Sequence, residues 1–160
     1  MPRTAAESAA REDLPVVEQI DTTFLDGLLG YNARRAALAV IEVFLDRMQP
    51  YGLRAVDFSV LSLVVHNPGI TSRQLCTTLG ILPPNLVNLV AALEKRDLLE
   101  RKPHPRDGRA TGLHPTGAGA RLMKQAEKTA SQLEAQAASR LSSGEFRTLL
   151  HLLRKVYADD

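Results

Sequence analysis

The sequence predicts a mainly α-helical fold carrying one small β-hairpin, and three observations predict it. Apolar residues recur at helical spacing through most of the chain, helix-starting and helix-stopping sequences punctuate those runs, and a strand-turn-strand pattern occurs around residues 98–114. Hydrophobic residues make up 44% of the 160 and aromatics 4%, with no tryptophan, so the core is expected to be aliphatic. That length suits one domain with its own core, and equally the protomer of an obligate dimer.

Residues 1 to about 13 are rich in Ala, Ser, Arg and Glu and read as a poorly ordered arm. Leu14 to Phe24 is expected to form a short helix. A long helix is expected from near Asp26 to Met48, with apolar residues spread over more than one face, so it needs more than one partner to bury it. Pro50 and Gly52 stop it. Val56 to His66 reads as the next helix, closed by the turn sequence Asn67-Pro68-Gly69.

Thr71-Ser72-Arg73-Gln74 has the form of a capping box and should open a short helix, with Leu75, Cys76 and Leu79 on its inner face and Gly80 ending it. Pro83 and Pro84 restart the chain as a second helix, since proline is tolerated where the N–H has no intrahelical partner. Leu86, Leu89, Val90 and Leu93 form its buried stripe; Asn85, Asn88, Ala91 and Ala92 lie opposite. Leu98 to Pro103 reads as a strand, Arg106 to Arg109 as a hairpin tip and Ala110 to His114 as the returning strand. Thr116 is expected to cap a long alanine-rich helix with a narrow seam running Leu122, Met123, Ala126, Ala130, Leu133, Ala137, Leu141. Ser142-Ser143-Gly144-Glu145 is another capping box, opening a last helix that carries Phe146, Leu149, Leu150, Leu152, Leu153 and Val156.

Charge distribution adds a function class to this outline. The net charge is only +2, but residues 1–26 hold six acidic and two basic side chains, leaving about +6 on the remainder. Thr71 to Arg109 holds seven Lys and Arg against four Asp and Glu, an excess that a duplex would attract. A helix-turn-helix followed by a basic hairpin is a DNA-binding arrangement. The second helix enters the major groove, and side chains near its start reach base edges. Pro84, Asn85, Val87 and Asn88 stand there. Asparagine can pair with the adenine edge and valine can touch a thymine methyl, while a solvated face or a helix-start cap accounts for each asparagine equally well. Arg73, Arg101, Lys102 and Arg106 are candidates for the sugar-phosphate backbone, with an internal ion pair the alternative for Arg101, and Ser72 is a further candidate DNA contact.

Leu93 to Arg101 (Leu-Glu-Lys-Arg-Asp-Leu-Leu-Glu-Arg), the triplet Asp107-Gly108-Arg109 and Leu113 to Gly119 together resemble the winged helix-turn-helix of the MarR (multiple antibiotic resistance regulator) family, over roughly residues 25–157. The resemblance implies a homodimeric, ligand-responsive transcriptional regulator, a repressor or an activator, acting on pseudo-palindromic duplex DNA. It divides the chain into an N-terminal arm and short helix (1–25), dimerisation helices (26–52 and 116–160) and a DNA-binding lobe (53–115). Arg109 matches the wing-tip arginine that enters the minor groove, and Asp107 would orient a neighbouring arginine. Alanines 91 and 92 depart from the polar residues often found at these family positions. Asp97 stands where the family often has glycine and is expected to take a left-handed turn. The family's effector, small and often aromatic, implies Tyr31, Asn32, Arg35, Phe58 and His66 as ligand contacts.

The remaining chemistry excludes more than it suggests. One cysteine, Cys76, rules out an intrachain disulfide and fits a reducing cytoplasm; its expected buried slot argues against redox sensing. His66, His104, His114 and His151 show no metal-ligand spacing, and no cofactor is implied. Apolar runs fall short of a membrane span. No nucleophile-base pair, phosphate-cradling loop or paired carboxylates point to an enzyme. The competing reading is a winged-helix interaction module, or a redox sensor, working without a small-molecule effector.

Overall fold

The computed structural model describes residues 18–104 and 107–158, apart from the side chains of residues 104, 107–110, 134, 135 and 137. Two compact units divide at Ala36 and Ala37. The elements in chain order are α1 (Thr23–Asp26), α2 (Leu29–Met48), a 3-10 turn (Gln49–Tyr51), α3 (Ala55–His66), β1 (Ile70–Thr71), α4 (Ser72–Leu79), α5 (Pro83–Lys95), β2 (Leu99–His104), β3 (Asp107–Pro115), α6 (Gly117–Ala137) and α7 (Ser143–Tyr157).

In the first unit the expected Leu14 to Phe24 helix is corrected. Residues 14–17 lie outside the described residues, and Glu18 to Thr22 are not helical. The Asp21 carboxylate accepts the Thr23 amide at 2.9 Å, so the polar residues that would have sat inside a helix instead start the single turn of α1. Gly27 follows that turn, and the Asn32 amide donates to the Asp26 and Leu28 carbonyls at 2.8 Å each, binding the end of α1 to the first turn of α2. The long helix accordingly starts at Leu29 rather than near Asp26.

The second unit surrounds an aliphatic core. Val60, Leu61 and Val64 of α3, Leu75 of α4, Leu86, Val90 and Leu93 of α5, Leu113 of β3 and Met123 of α6 are all essentially sealed from solvent. Phe44 and Phe58 pack edge to face at its margin, ring centroids 5.4 Å apart. Local chemistry set where these helices begin and end. The Thr71 and Ser142 hydroxyls accept from the amides of Gln74 and Glu145, whose side chains return to the capping amides. Thr116 Oγ1 accepts the Gly119 amide at 2.9 Å and donates to the Asp97 carbonyl at 2.6 Å, fixing the start of α6 against the end of α5. Gly52 and Gly80 end their helices at φ 59° and 62°, a region open to glycine at little steric cost.

Three differences from expectation concern strand and helix limits. β3 begins at Asp107, with His104 paired to Asp107, so Asp107 to Arg109 belong to the returning strand rather than to a four-residue tip; residues 105 and 106 lie outside the described residues. β1 adds a third strand, giving the antiparallel order β1-β3-β2 with Ile70 opposite Leu113. Two residues carry too little alternation to be read as a strand. Leu141 falls beyond α6, which ends at Ala137, in a turn where its amide bonds the Ala138 carbonyl.

Candidate nucleic-acid interface

The helix-turn-helix is α4 and α5, whose axes are bent by 115° across the turn of residues 80–82. That angle lies within the range of about 90–120° that lets a first helix brace a second one in a groove. Gly80 makes the bend, and Pro83 and Pro84 occupy the first turn of α5 without forfeiting an intrahelical bond.

With Leu86, Val90 and Leu93 in the core, the opposite face of α5 is committed to solvent. Pro84, Asn85, Val87 and Asn88 are all exposed there, with Val87 at 58%. An exposed valine between two asparagines gains nothing from the protein interior; a thymine methyl would give it an apolar contact. Alanines 91 and 92 continue the face without adding a polar group. Ser72 stands half-buried in the first turn of α4, and Arg73 beside it is exposed.

The basic residues after α5 are divided. Arg101 Nε lies 2.9 Å from Glu94 Oε1, which realises the internal-pair alternative, and Lys102 Nζ lies 2.8 Å from Glu100 Oε1. Both pairs are exposed enough for water to screen them, so each is worth little to the fold. Arg106 lies outside the described residues, as do the side chains of Asp107 and Arg109; the backbone of the latter two is paired strand. Asp97 has φ 55°, the only positive-φ residue other than glycine among those described, so the turn from α5 to β2 is made as expected from an aspartate.

The MarR family model matches residues 51–110, from the 3-10 turn after α2 into β3. The transcriptional repressor CouR bound to a 23-mer DNA duplex is 37% identical, with 86% of this chain and 98% of that one covered and a TM-score of 0.80. The chain belongs to the MarR family. CouR bound to p-coumaroyl-CoA is 34% identical over 89% of this chain and 100% of that one, TM-score 0.79. A putative transcriptional regulatory protein for the hcr operon of Thauera aromatica is 27% identical over 84% of this chain and 81% of its own length. This MarR-family chain is a transcriptional regulator on a winged helix-turn-helix, not an enzyme.

Residues that the sequence did not single out complete the site. Arg96, directly after α5, donates from Nη1 to the Gly52 carbonyl and from Nη2 to the Tyr51 carbonyl, both at 2.7 Å. Glu94 appears as the partner of Arg101. Glu127 of α6 accepts from the Ser62 hydroxyl at 3.0 Å and meets His66 Nε2 at 2.7 Å. These partners are 7 to 65 residues apart in sequence, and only the fold brings them together.

The effector candidates fall in both units. Tyr31 is half-buried and Arg35 exposed in the first, where the Asn32 amide donors are both engaged by backbone carbonyls. Phe58 and His66 lie on α3 of the second, the one packed on Phe44 and the other joined to Glu127. Cys76 is only partly buried, packed against the core rather than sealed inside it. Among the described residues no group of His, Cys, Asp and Glu is arranged to hold a metal ion, and no single helix is long and apolar enough to cross a membrane.

Proposed function

We propose that the chain acts in the cytoplasm as a homodimeric repressor that places α5 in the major groove of a pseudo-palindromic duplex and the β2-β3 wing at the minor groove, and that an aromatic acyl thioester of coenzyme A releases it. The observation that carries the DNA half is the face of α5: Asn85, Val87 and Asn88 stand clear of the protein on a helix whose other side is locked into the core. Its relative CouR, on a duplex in one structure and with p-coumaroyl-CoA in another, supports both halves. Asn85 and Asn88 would read adenine edges and Val87 a methyl, with Pro84 seating the helix start. Ser72, Arg73, Arg101, Lys102 and Arg106 would hold the sugar-phosphate backbone. Arg109 would enter the minor groove, oriented by Asp107. In this reading residues 53–115 are the DNA-binding lobe and 26–52 with 116–160 the dimerisation helices.

Effector contacts are assigned to Phe58 and His66 in the second unit and to Tyr31, Asn32 and Arg35 in the first. An aromatic ring suits the edge of Phe58, and the His66, Ser62 and Glu127 cluster offers polar groups to a carbonyl or hydroxyl.

The test begins with selection of duplexes by the wild-type chain from a randomised pool, followed by gel-shift titration of the enriched sequence. Enrichment of an inverted repeat, with affinity falling steeply as salt rises, is expected. Arg109→Ala should weaken binding by about 1–3 kcal/mol and leave the fold intact. Micromolar p-coumaroyl-CoA should release the duplex while free coenzyme A does not. No enrichment would overturn the DNA reading; enrichment with no release by any aromatic acyl thioester would overturn the effector assignment alone.

A further inference from the structure

The bend between α2 and α3 carries hydrogen bonds that ending a helix does not require. Gly52, at φ 59°, presents two successive carbonyls to one guanidinium: Arg96 donates from Nη2 to Tyr51 O and from Nη1 to Gly52 O, each at 2.7 Å. A Cβ built at position 52 would lie 3.3 Å from Nη2, tight enough that a side chain there would press on the grip. The Tyr51 hydroxyl in turn shares a 2.8 Å hydrogen bond with Thr129 Oγ1 and lies 3.4 Å from the Gln125 carbonyl, both on α6. One dipeptide thus holds the C-terminal end of α5 through its carbonyls and the middle of α6 through its side chain.

We propose that Arg96 is a positioning residue for DNA binding: gripping the Tyr51 and Gly52 carbonyls, it fixes the angle of α5 relative to α6 without itself touching the duplex. The inference rests on the reading of α5 as the major-groove helix. A reading helix has to be held within about 0.5 Å and 10–20° of its productive pose, and the far end of α5 is where a small tilt would move Asn85 and Asn88 most. The guanidinium suits the task because its planar fork spans two acceptors in one geometry. Lysine would keep the charge and lose the fork. The same path makes α5 responsive to α6: a shift at Thr129 is passed to Tyr51, and from its carbonyl to Arg96.

The experiment measures Arg96→Gln, Arg96→Lys and Tyr51→Phe against the duplex that the wild type enriches from a randomised pool, over a series of potassium chloride concentrations, with circular-dichroism melts of each protein. Both Arg96 variants are expected to bind about tenfold more weakly at every salt concentration, with the wild-type slope of log affinity against log salt. Tyr51→Phe keeps both carbonyls and is expected to lose several-fold affinity, again at unchanged slope. Should Arg96→Gln fail to fold, Arg96→Lys, with stem and charge retained, carries the comparison. Wild-type affinity in Arg96→Lys, with loss of about one unit of slope in Arg96→Gln, would make Arg96 a phosphate contact and overturn the inference. Wild-type affinity in both would overturn it as well, and unchanged Tyr51→Phe would overturn its α6 half. Failure of the wild-type chain to enrich any duplex would remove the reading on which the inference rests, a result distinct from these.

Discussion

At the scale of single residues, the α5 groups proposed to read DNA and the groups that hold the fold are chemically separate. Asn88 is exposed, makes no contribution to the core and faces away from Leu86 and Val90, so Asn88→Ala should leave the unfolding midpoint unchanged. It should cost about 1–3 kcal/mol on the selected duplex and almost nothing on a scrambled one, read by competition gel shift. Asp57 is the opposite case. Burial raises its pKa, but the Arg54 side chain, the Arg54 amide and the charges of Arg54 and Arg96 more than offset that, leaving the carboxyl below the usual carboxylate range. Because the folded-state pKa is depressed, its stabilisation is in place above the unfolded-state value of about 4 and is lost as the pH falls through the folded value. Urea midpoints taken from pH 6 to pH 3 should therefore fall at the acid end, and Asp57→Asn should flatten that limb and cost about 1–2 kcal/mol at neutral pH. Arg54 is itself two-thirds exposed, so water holds the value toward the lower figure. The capping residues Thr71, Thr116 and Ser142 were legible in the sequence because their partners lie three residues away. Arg96 and Glu127 were not, because their partners are assembled by the fold from 44 or more residues away.

At the scale of elements, the helix-turn-helix is fixed from both ends. At its start, β1 pairs with β3 immediately before the Thr71 cap; at its end, Asp97 turns left-handed and Thr116 bonds the Asp97 carbonyl. The first turn of α6 therefore packs directly on Leu98, in the turn just before β2, and Gly119 is the point of closest approach: a Cβ built there overlaps the Leu98 carbonyl, which is backbone and cannot swing aside. Gly119→Ala is expected to push α6 off the hairpin and to destabilise the fold by about 1–3 kcal/mol, measured by urea denaturation, even though alanine is the better helix former. Periodicity and capping placed α3 to α7 nearly as observed, since each rests on local pattern. Within the expected Leu14 to Phe24 helix, residues 18–22 were misread because a few apolar side chains suggested a helix while Asp21 and Thr22 favoured a turn. β1 escaped notice because its pairing with Leu113 and Gly112 is supplied by a strand more than 40 residues later.

At the scale of the whole molecule, α7 presents an unfinished surface. Leu149, Leu150, Leu152, Leu153, Val156 and Tyr157 are all more than a third exposed, Val156 at 63% and Tyr157 at 74%, in a helix opened by a full capping box and so built to persist. Scattered apolar residues on a surface need no explanation, but six within nine residues of one helix form a patch that a monomer would be expected to hide. At about 25 cal/mol per Å² of apolar surface removed from water, covering such a helix with its copy would supply a large part of the association energy of a stable dimer. Sedimentation equilibrium at micromolar concentration should accordingly return twice the protomer mass, and the melting temperature should rise with protein concentration. Leu153→Glu places a charge in the middle of that patch, where desolvation without a partner opposes association, and is expected to yield either a monomer with a concentration-independent and lower melting temperature or an aggregating chain. A monomeric wild type that melts independently of concentration would overturn the dimer. It would also leave a single α5 to bind a half-site, so the selected duplex would then carry no inverted repeat, and the two measurements must agree.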